Sequence, residues 1–196
     1  MTGQRQLETI AEHTVLHPLR GPVLDVGARS FAFSREMANR DFFVVAMEPD
    51  PTVEDPKDAR IRFLQAALYH GNDGRMRFSM DADPQARHLV DDGGDVTVDT
   101  MNITSVMHKT GVERWGIVKL DCEGAEYQIL LEWPGHIADQ ISVEFHDHVE
   151  QRPVELYNAI LDHLGIWYRI VQHGKSVRHC IATPNYWDSL FVLRGP

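Results

Sequence analysis

Long apolar runs are missing from this sequence. No stretch of about 18 apolar residues occurs, so no transmembrane helix is expected. The opening residues, MTGQRQLETIAEH, lack the apolar centre of a secretory signal. Cysteine is scarce: Cys122 and Cys180 are the only two. They could pair, but two cysteines make no disulfide framework, and a reducing cytoplasm is the expected compartment. Basic charge is short as well. Lys and Arg number 19 against 29 Asp and Glu, a net charge of -10. That surface is poorly suited to nonspecific binding of nucleic acid or an anionic membrane. The fingerprint G-x-G-x-x-G is absent, which argues against a nicotinamide-dependent oxidoreductase. There is no internal repeat and no low-complexity tract.

What is present is an ordinary globular composition, 43% hydrophobic over 196 residues, enough for one domain with a full core. Residues 1–196 are expected to form a single domain with residues 1–20 as a helical extension. The helical reading rests on Leu7, Ile10, Ala11, Val15 and Leu16, which fall on one stripe. Short apolar runs at Val23–Val26, Asp41–Met47, Ile61–Leu68, Ile117–Leu120 and Ile141–Phe145 read as strands covered on both faces. Ile166–Val171 and Ser189–Leu193 are two more, placed as a closing antiparallel hairpin. Helices are expected over Phe33–Asn39, Met101–Gly111, Ala125–Glu132 and Val154–Leu164. Asn72-Asp73-Gly74 marks a hairpin turn, and Asp81–Asp95 a loop. This alternation predicts an α/β sandwich with a mostly parallel sheet.

Ligands of open α/β sheets bind at the carboxyl ends of the strands. Four of the five parallel strands end in an acid. Glu48 follows the second strand, 21 residues after Gly27. A carboxylate there can accept from both hydroxyls of an adenosine ribose; the bland alternative is an acid capping the turn before Pro49. Gly27 lets the backbone approach a ligand, and the next helix start offers N–H groups. Lys119 and Asp121 share one face of their strand. A mid-strand lysine needs an acid partner, for which Glu144 is a candidate. Glu126 reads as a first-turn helix acid. Glu144 and His146 also share a face. If the fourth and fifth strands are neighbours, Asp121 and His146 meet at one rim. A carboxylate beside an imidazole is either a general base or a pair of ligands for a divalent cation such as Mg2+. No residue is assigned as a metal ligand, because neither helical H-E-x-x-H nor a cysteine pair is present. His148 reads as structural, and the remaining histidines, His13 among them, carry no assignment.

Six segments in order make this sequence resemble the FkbM family of S-adenosylmethionine-dependent methyltransferases. They are LDVGA (24–28), VVAMEPDP (44–51), LQAALYHGNDGRMRF (64–78), VTVDTM (96–101), IVKLDCEGAEYQIL (117–130) and SVEFHDH (142–148). The resemblance implies a Rossmann-like class I methyltransferase sandwich with a seven-stranded sheet whose last strand is antiparallel. It implies transfer of a methyl group to a hydroxyl of a small molecule or sugar. By position, Asp25, Gly27 and Ala28 would line the methionine end of the cofactor, Glu48 and Pro49 the ribose, Gln65 and Ala66 the adenine. Asp121 would lie beside the sulfonium and the acceptor, flanked by Glu123 and His146. The family's first loop reads D-V-G-A-N-x-G, whereas this chain has Arg29 and Phe31 at the Asn and second Gly positions. Phe31 either crowds the cofactor turn or packs away from it. The rival is a non-catalytic module of the same fold. The short chain leaves little room for a lid, and the oligomeric state stays open.

Overall fold

A computed structural model of the chain describes residues 6–83, 87–146, 153–173 and 186–195. The chain opens with β1 (Leu7–Ile10) and β2 (His13–Leu16), followed by β3 (Val23–Val26), α1 (Ala32–Asn39), β4 (Val44–Met47) and β5 (Ile61–Leu64). Next come β6 (Ala67–Leu68), β7 (Gly74–Phe78), β8 (Leu89–Val90), β9 (Val96–Met101) and α2 (Ile103–Thr110). The remainder is β10 (Trp115–Leu120), α3 (Glu126–Leu131), β11 (Ala138–His146), α4 (Pro153–Leu164), β12 (Tyr168–His173) and β13 (Tyr186–Leu193).

Seven strands form the main sheet in the order β12-β13-β11-β10-β3-β4-β5. β5, β4, β3, β10 and β11 run parallel, and β13 is antiparallel to both β11 and β12. This is the class I methyltransferase sandwich with its antiparallel final strand. The chain builds outward from β3 to β5 and then returns to β10 beside β3, so the switch point lies between β3 and β10, where such sheets bind ligands. β3, β4 and β10 are buried at every position, which is why they read as apolar runs interrupted only by Asp25 and Lys119. One face of the sheet packs on α2, α3 and α4 through Val106, Ile129, Leu130, Ile160 and Leu164. The other packs on α1 and the opening hairpin through Val15, Phe33, Met37 and Ile117.

Three sequence expectations are corrected. Residues 7–16 form no helix: β1 and β2 pair antiparallel around Ala11 and Glu12, both at positive φ, +43° and +74°. Two such residues make the tight turn that suits a hairpin. β2 is buried at all four positions, and the Gln140 side chain clamps its Leu16 backbone, accepting from N (2.8 Å) and donating to O (2.6 Å). Tertiary burial thus overrides a weak helical stripe. The run 61–68 is two strands, because Gln65-Ala66 steps the chain out of the main sheet into a second one, β6-β9-β7-β8. Finally, the turn at Asn72-Asp73-Gly74 does not fold β7 onto the segment before it. β7 pairs with β8 and β9 instead, and β8 lies inside the expected 81–95 loop. Among the described residues no helix is long and apolar enough to cross a membrane.

Candidate functional site

The loop after β3 sets the floor of the cleft. Gly27 sits at φ +74°, and a Cβ there would run into the Asp121 carbonyl, so this glycine is required by close approach of two backbones. Gly27 N and Ala28 N both donate to Met47 O at 3.0 Å, which fixes the turn to β4. Phe31 adopts the left-handed conformation (φ 54°, ψ 19°) at the head of α1, the geometry a glycine would take there. Its ring is buried and packs edge-on against Phe63 at 5.4 Å, so it packs into the core. Phe31→Gly is expected to lower stability by about 2–3 kcal/mol in urea unfolding. Loss of the buried ring costs ~3–5 kcal/mol, and freeing the left-handed backbone returns only ~1–2 kcal/mol. A variant as stable as the parent would refute this packing role.

Lys119 is the electrostatic centre. It is 3% exposed and pairs directly across from Asp25 on β3. Its Nζ lies 3.1 Å from Asp25 Oδ1 and 3.2 Å from Asp121 Oδ2 and donates to Gly27 O at 2.9 Å. Its partners are therefore Asp25 and Asp121, not Glu144. Burial would lower the lysine pKa, but the Asp25 and Asp121 charges overcome this and raise it. Burial likewise opposes ionisation of Asp121, yet the Lys119 ammonium holds its carboxyl well below the usual range. Asp25 also accepts from Ser34 Oγ at 2.6 Å, tying α1 to the sheet.

At the ends of β10 and β11 the turn Asp121-Cys122-Glu123-Gly124 folds tightly, with Glu123 at φ +53°. Glu126 is fully buried and accepts from Cys122 N (2.7 Å) and Gly124 N (2.8 Å), so it is indeed a helix-start acid. The same carboxylate also reaches the histidine of β11, where Glu126 Oε1 lies 3.1 Å from His146 Nδ1. This anchors the ring and turns Nε2 toward Glu123 (3.4 Å), Glu144 (3.6 Å) and Asp121 (3.8 Å). Burial would lower the His146 pKa, but its carboxylate neighbours, Glu126 first, raise it to about 9. Burial pushes Glu123 and Glu144 up to about 7. Asp121, Glu123 and His146 therefore meet as the sequence suggests. Asp147 and His148 lie outside the described residues.

A cleft runs from Asp121 and Glu123 of this cluster past Gly27 to Glu48 and Pro49. Its far wall is the second sheet, through Ala67, Leu68, Phe78 and Leu89, in place of a separate lid. Glu48 is 6% exposed and accepts from Asp50 N at 2.9 Å. Burial raises its pKa to about 7. Gln65 and Ala66 do not line the cleft: the Gln65 amide donates to Asp50 O (2.8 Å) and Ala66 is buried. Asp25 and Ala28 border a neighbouring hollow under the hairpin. Arg29 stands 3.7 Å from Asp50, which also binds Arg87 at 2.6 Å. Arg87, His13 and Asp188 are not anticipated by the sequence pattern. Glu144 enters that pattern as a possible partner of Lys119 and as sharing a strand face with His146. His13 gives no signal while residues 7–16 read as a helix.

No curated protein matches this sequence. Among solved structures the chain is similar to Burkholderia thailandensis 1,6-didemethyltoxoflavin-N1-methyltransferase, at 14% identity and TM-score 0.42 over 89% of this chain and 72% of that one. It is also similar to a 16S rRNA (adenine(1408)-N(1))-methyltransferase from Catenulisporales acidiphilia, at 11% identity and TM-score 0.41 over 91% and 87%. A putative methyltransferase from an antibiotic biosynthesis pathway of Anabaena variabilis gives 17% identity and TM-score 0.39 over 78% and 57%. The family model of the methyltransferase FkbM domain matches residues 25–174, the stretch from the Asp25 turn through β12 that builds both ends of the cleft. The chain belongs to the FkbM family of S-adenosylmethionine-dependent methyltransferases.

Proposed function

We propose that the protein transfers the methyl group of S-adenosylmethionine to a hydroxyl of a small molecule or sugar. The observation that carries the reading is one cleft with a buried, ribose-competent carboxylate at one end and the Asp121, Glu123 and His146 cluster at the other. The donor chemistry fits the cofactor. Glu48 suits a vicinal diol, the apolar wall of Ala67, Leu68 and Phe78 suits a flat base, and the Asp121 carboxylate suits a cationic sulfonium. When bound, S-adenosylmethionine supplies an electrophilic methyl carbon. Glu48 and the Gly27 turn orient the cofactor, and the wall of the second sheet limits water. Asp121 and His146 hold the acceptor hydroxyl, and Glu123, its pKa raised to about 7, takes its proton, because a neutral hydroxyl is a weak nucleophile and His146, its pKa raised to about 9, is already protonated at neutral pH. Holding nucleophile and methyl carbon close and in line supplies much of the rest. The proposed setting is the cytoplasm. Methyl transfer measured over a panel of hydroxyl and ring-nitrogen acceptors tests the reading; transfer to nitrogen alone would remove the O-methyl part. No affinity for S-adenosylhomocysteine would favour a non-catalytic module.

Glu48 provides a pH test. Ribose hydroxyls donate to its ionised form, whereas in the free protein it stays protonated up to about pH 7. Below that pH, binding must expel the proton. Affinity for S-adenosylhomocysteine is expected to rise from pH 6 to 7 and then level off. Glu48→Gln is expected to bind at least tenfold more weakly at pH 8 and to lose this part of the slope. Calorimetry at several pH values reads both, and an unchanged slope in the variant would remove Glu48 from the ribose site.

A further inference from the structure

The opening hairpin, outside the family-matched segment, brings His13 to the site. The side chain is 2% exposed and lies edge-on to Phe33. Its Nε2 stops 3.7 Å from Asp121 Oδ2, beyond hydrogen-bond length. Its Nδ1 is buried with no hydrogen-bond partner among the described residues. A buried imidazole nitrogen without a partner is costly to hold, and the other nitrogen of this ring faces the Asp121 carboxylate. Ligand atoms of His13, Asp121 and Glu144 all lie within 4.8 Å of one another. Asp188 faces Glu144 across the β11–β13 pairing, and its Oδ1 is also buried without a hydrogen-bond partner among the described residues. Lys119 does not settle this charge, because its ammonium is shared with Asp25.

We propose that His13, Asp121 and Glu144 bind a divalent cation, with Asp188 alongside, where the hollow under the hairpin meets the cleft at Asp121. One imidazole with carboxylate oxygens suits Mn2+ and related first-row ions, and Mg2+ less well. The three ligands come from β2, β10 and β11, and Gln140, reaching from β11 to the Leu16 backbone, locks the hairpin in the position that presents His13. The site deepens the acceptor reading and rests on it. A cation here would bind the acceptor oxygen and lower the pKa of its hydroxyl. The O–H proton would pass to the Glu123 carboxylate, which lines the cleft beside Asp121. The new oxygen–carbon bond forms as the sulfur–carbon bond breaks, leaving an ether and S-adenosylhomocysteine.

The test is a Mn2+ titration of the full chain by electron paramagnetic resonance, with neither cofactor nor acceptor present. One Mn2+ per chain is expected, bound at least tenfold more weakly in His13→Gln and in Glu144→Gln. Pulsed measurements on the unmodified protein should show coupling to an imidazole nitrogen, lost in His13→Gln. No binding up to millimolar Mn2+, no nitrogen coupling in the unmodified protein, coupling that survives in His13→Gln, or parental affinity in either variant would overturn the site. The nitrogen coupling needs no variant and so decides the matter even if a variant fails to fold. Affinity for S-adenosylhomocysteine, measured on the same sample, reports the transferase reading separately.

Discussion

Replacing Asp121 or His146 with alanine is expected to lower turnover by about 10²–10⁴-fold, the usual share of a positioned acid–base group, while affinity for S-adenosylhomocysteine changes little. Asp121 lines one end of the cleft, with His146 3.8 Å from it, and Glu48 stands at the other. The fold tolerates both changes. Without His146, Glu126 still accepts from the Cys122 and Gly124 amides; without Asp121, Lys119 keeps Asp25 and the Gly27 carbonyl. Turnover and cofactor affinity therefore separate, which a general loss of structure would not produce. Parental activity in both variants would sink the acid–base assignment. A parallel collapse of cofactor affinity would move Asp121 to cofactor binding.

The second large effect is on stability. Lys119→Met is expected to cost about 3–5 kcal/mol, the penalty for stranding the partner of a buried ion pair. Asp25 is 1% exposed and would keep only the Ser34 hydroxyl. The Gly27 carbonyl would lose its donor beside a turn where no side chain fits. Urea unfolding with an unchanged slope reads the cost. There is also a pH signature. Asp121 is held below its usual range mainly by Lys119, against the opposing effect of burial. The stability it contributes is present above its unfolded pKa, near 3.8, and is lost as the pH falls through the folded value. Lys119→Met should flatten that acid limb. A cost below about 1 kcal/mol would mean that the pair behaves like a solvent-exposed one.

Part of this is legible from local pattern alone. Val44–Met47 is apolar at every position because both faces of its strand are covered, and an unbroken run is the direct trace of that burial. Gly27 and Glu48 are legible together through chain spacing. The alternation in Ser142-Val143-Glu144-Phe145-His146 is enough to put Glu144 and His146 on one face. The opening segment is illegible for the opposite reason. All four residues of β2 are buried, so no two-residue alternation marks it, and its turn uses Ala11 and Glu12 where Asn or Gly would have announced a hairpin.

The sequence by itself determined the alternation of strands and helices in the main sheet from β3 onward, the mostly parallel sheet and the acids at its strand ends, because these follow from periodicity and chain distance. Only the tertiary structure decided which charges meet. Lys119 faces Asp25 because β10 lies beside β3. His13 reaches Asp121 because Gln140, more than a hundred residues along the chain, holds the hairpin under the sheet. Phe31 keeps a glycine's conformation because Phe63, on another strand, receives its ring. Such pairings depend on long-range packing, and a local pattern carries no record of a partner that far along the chain.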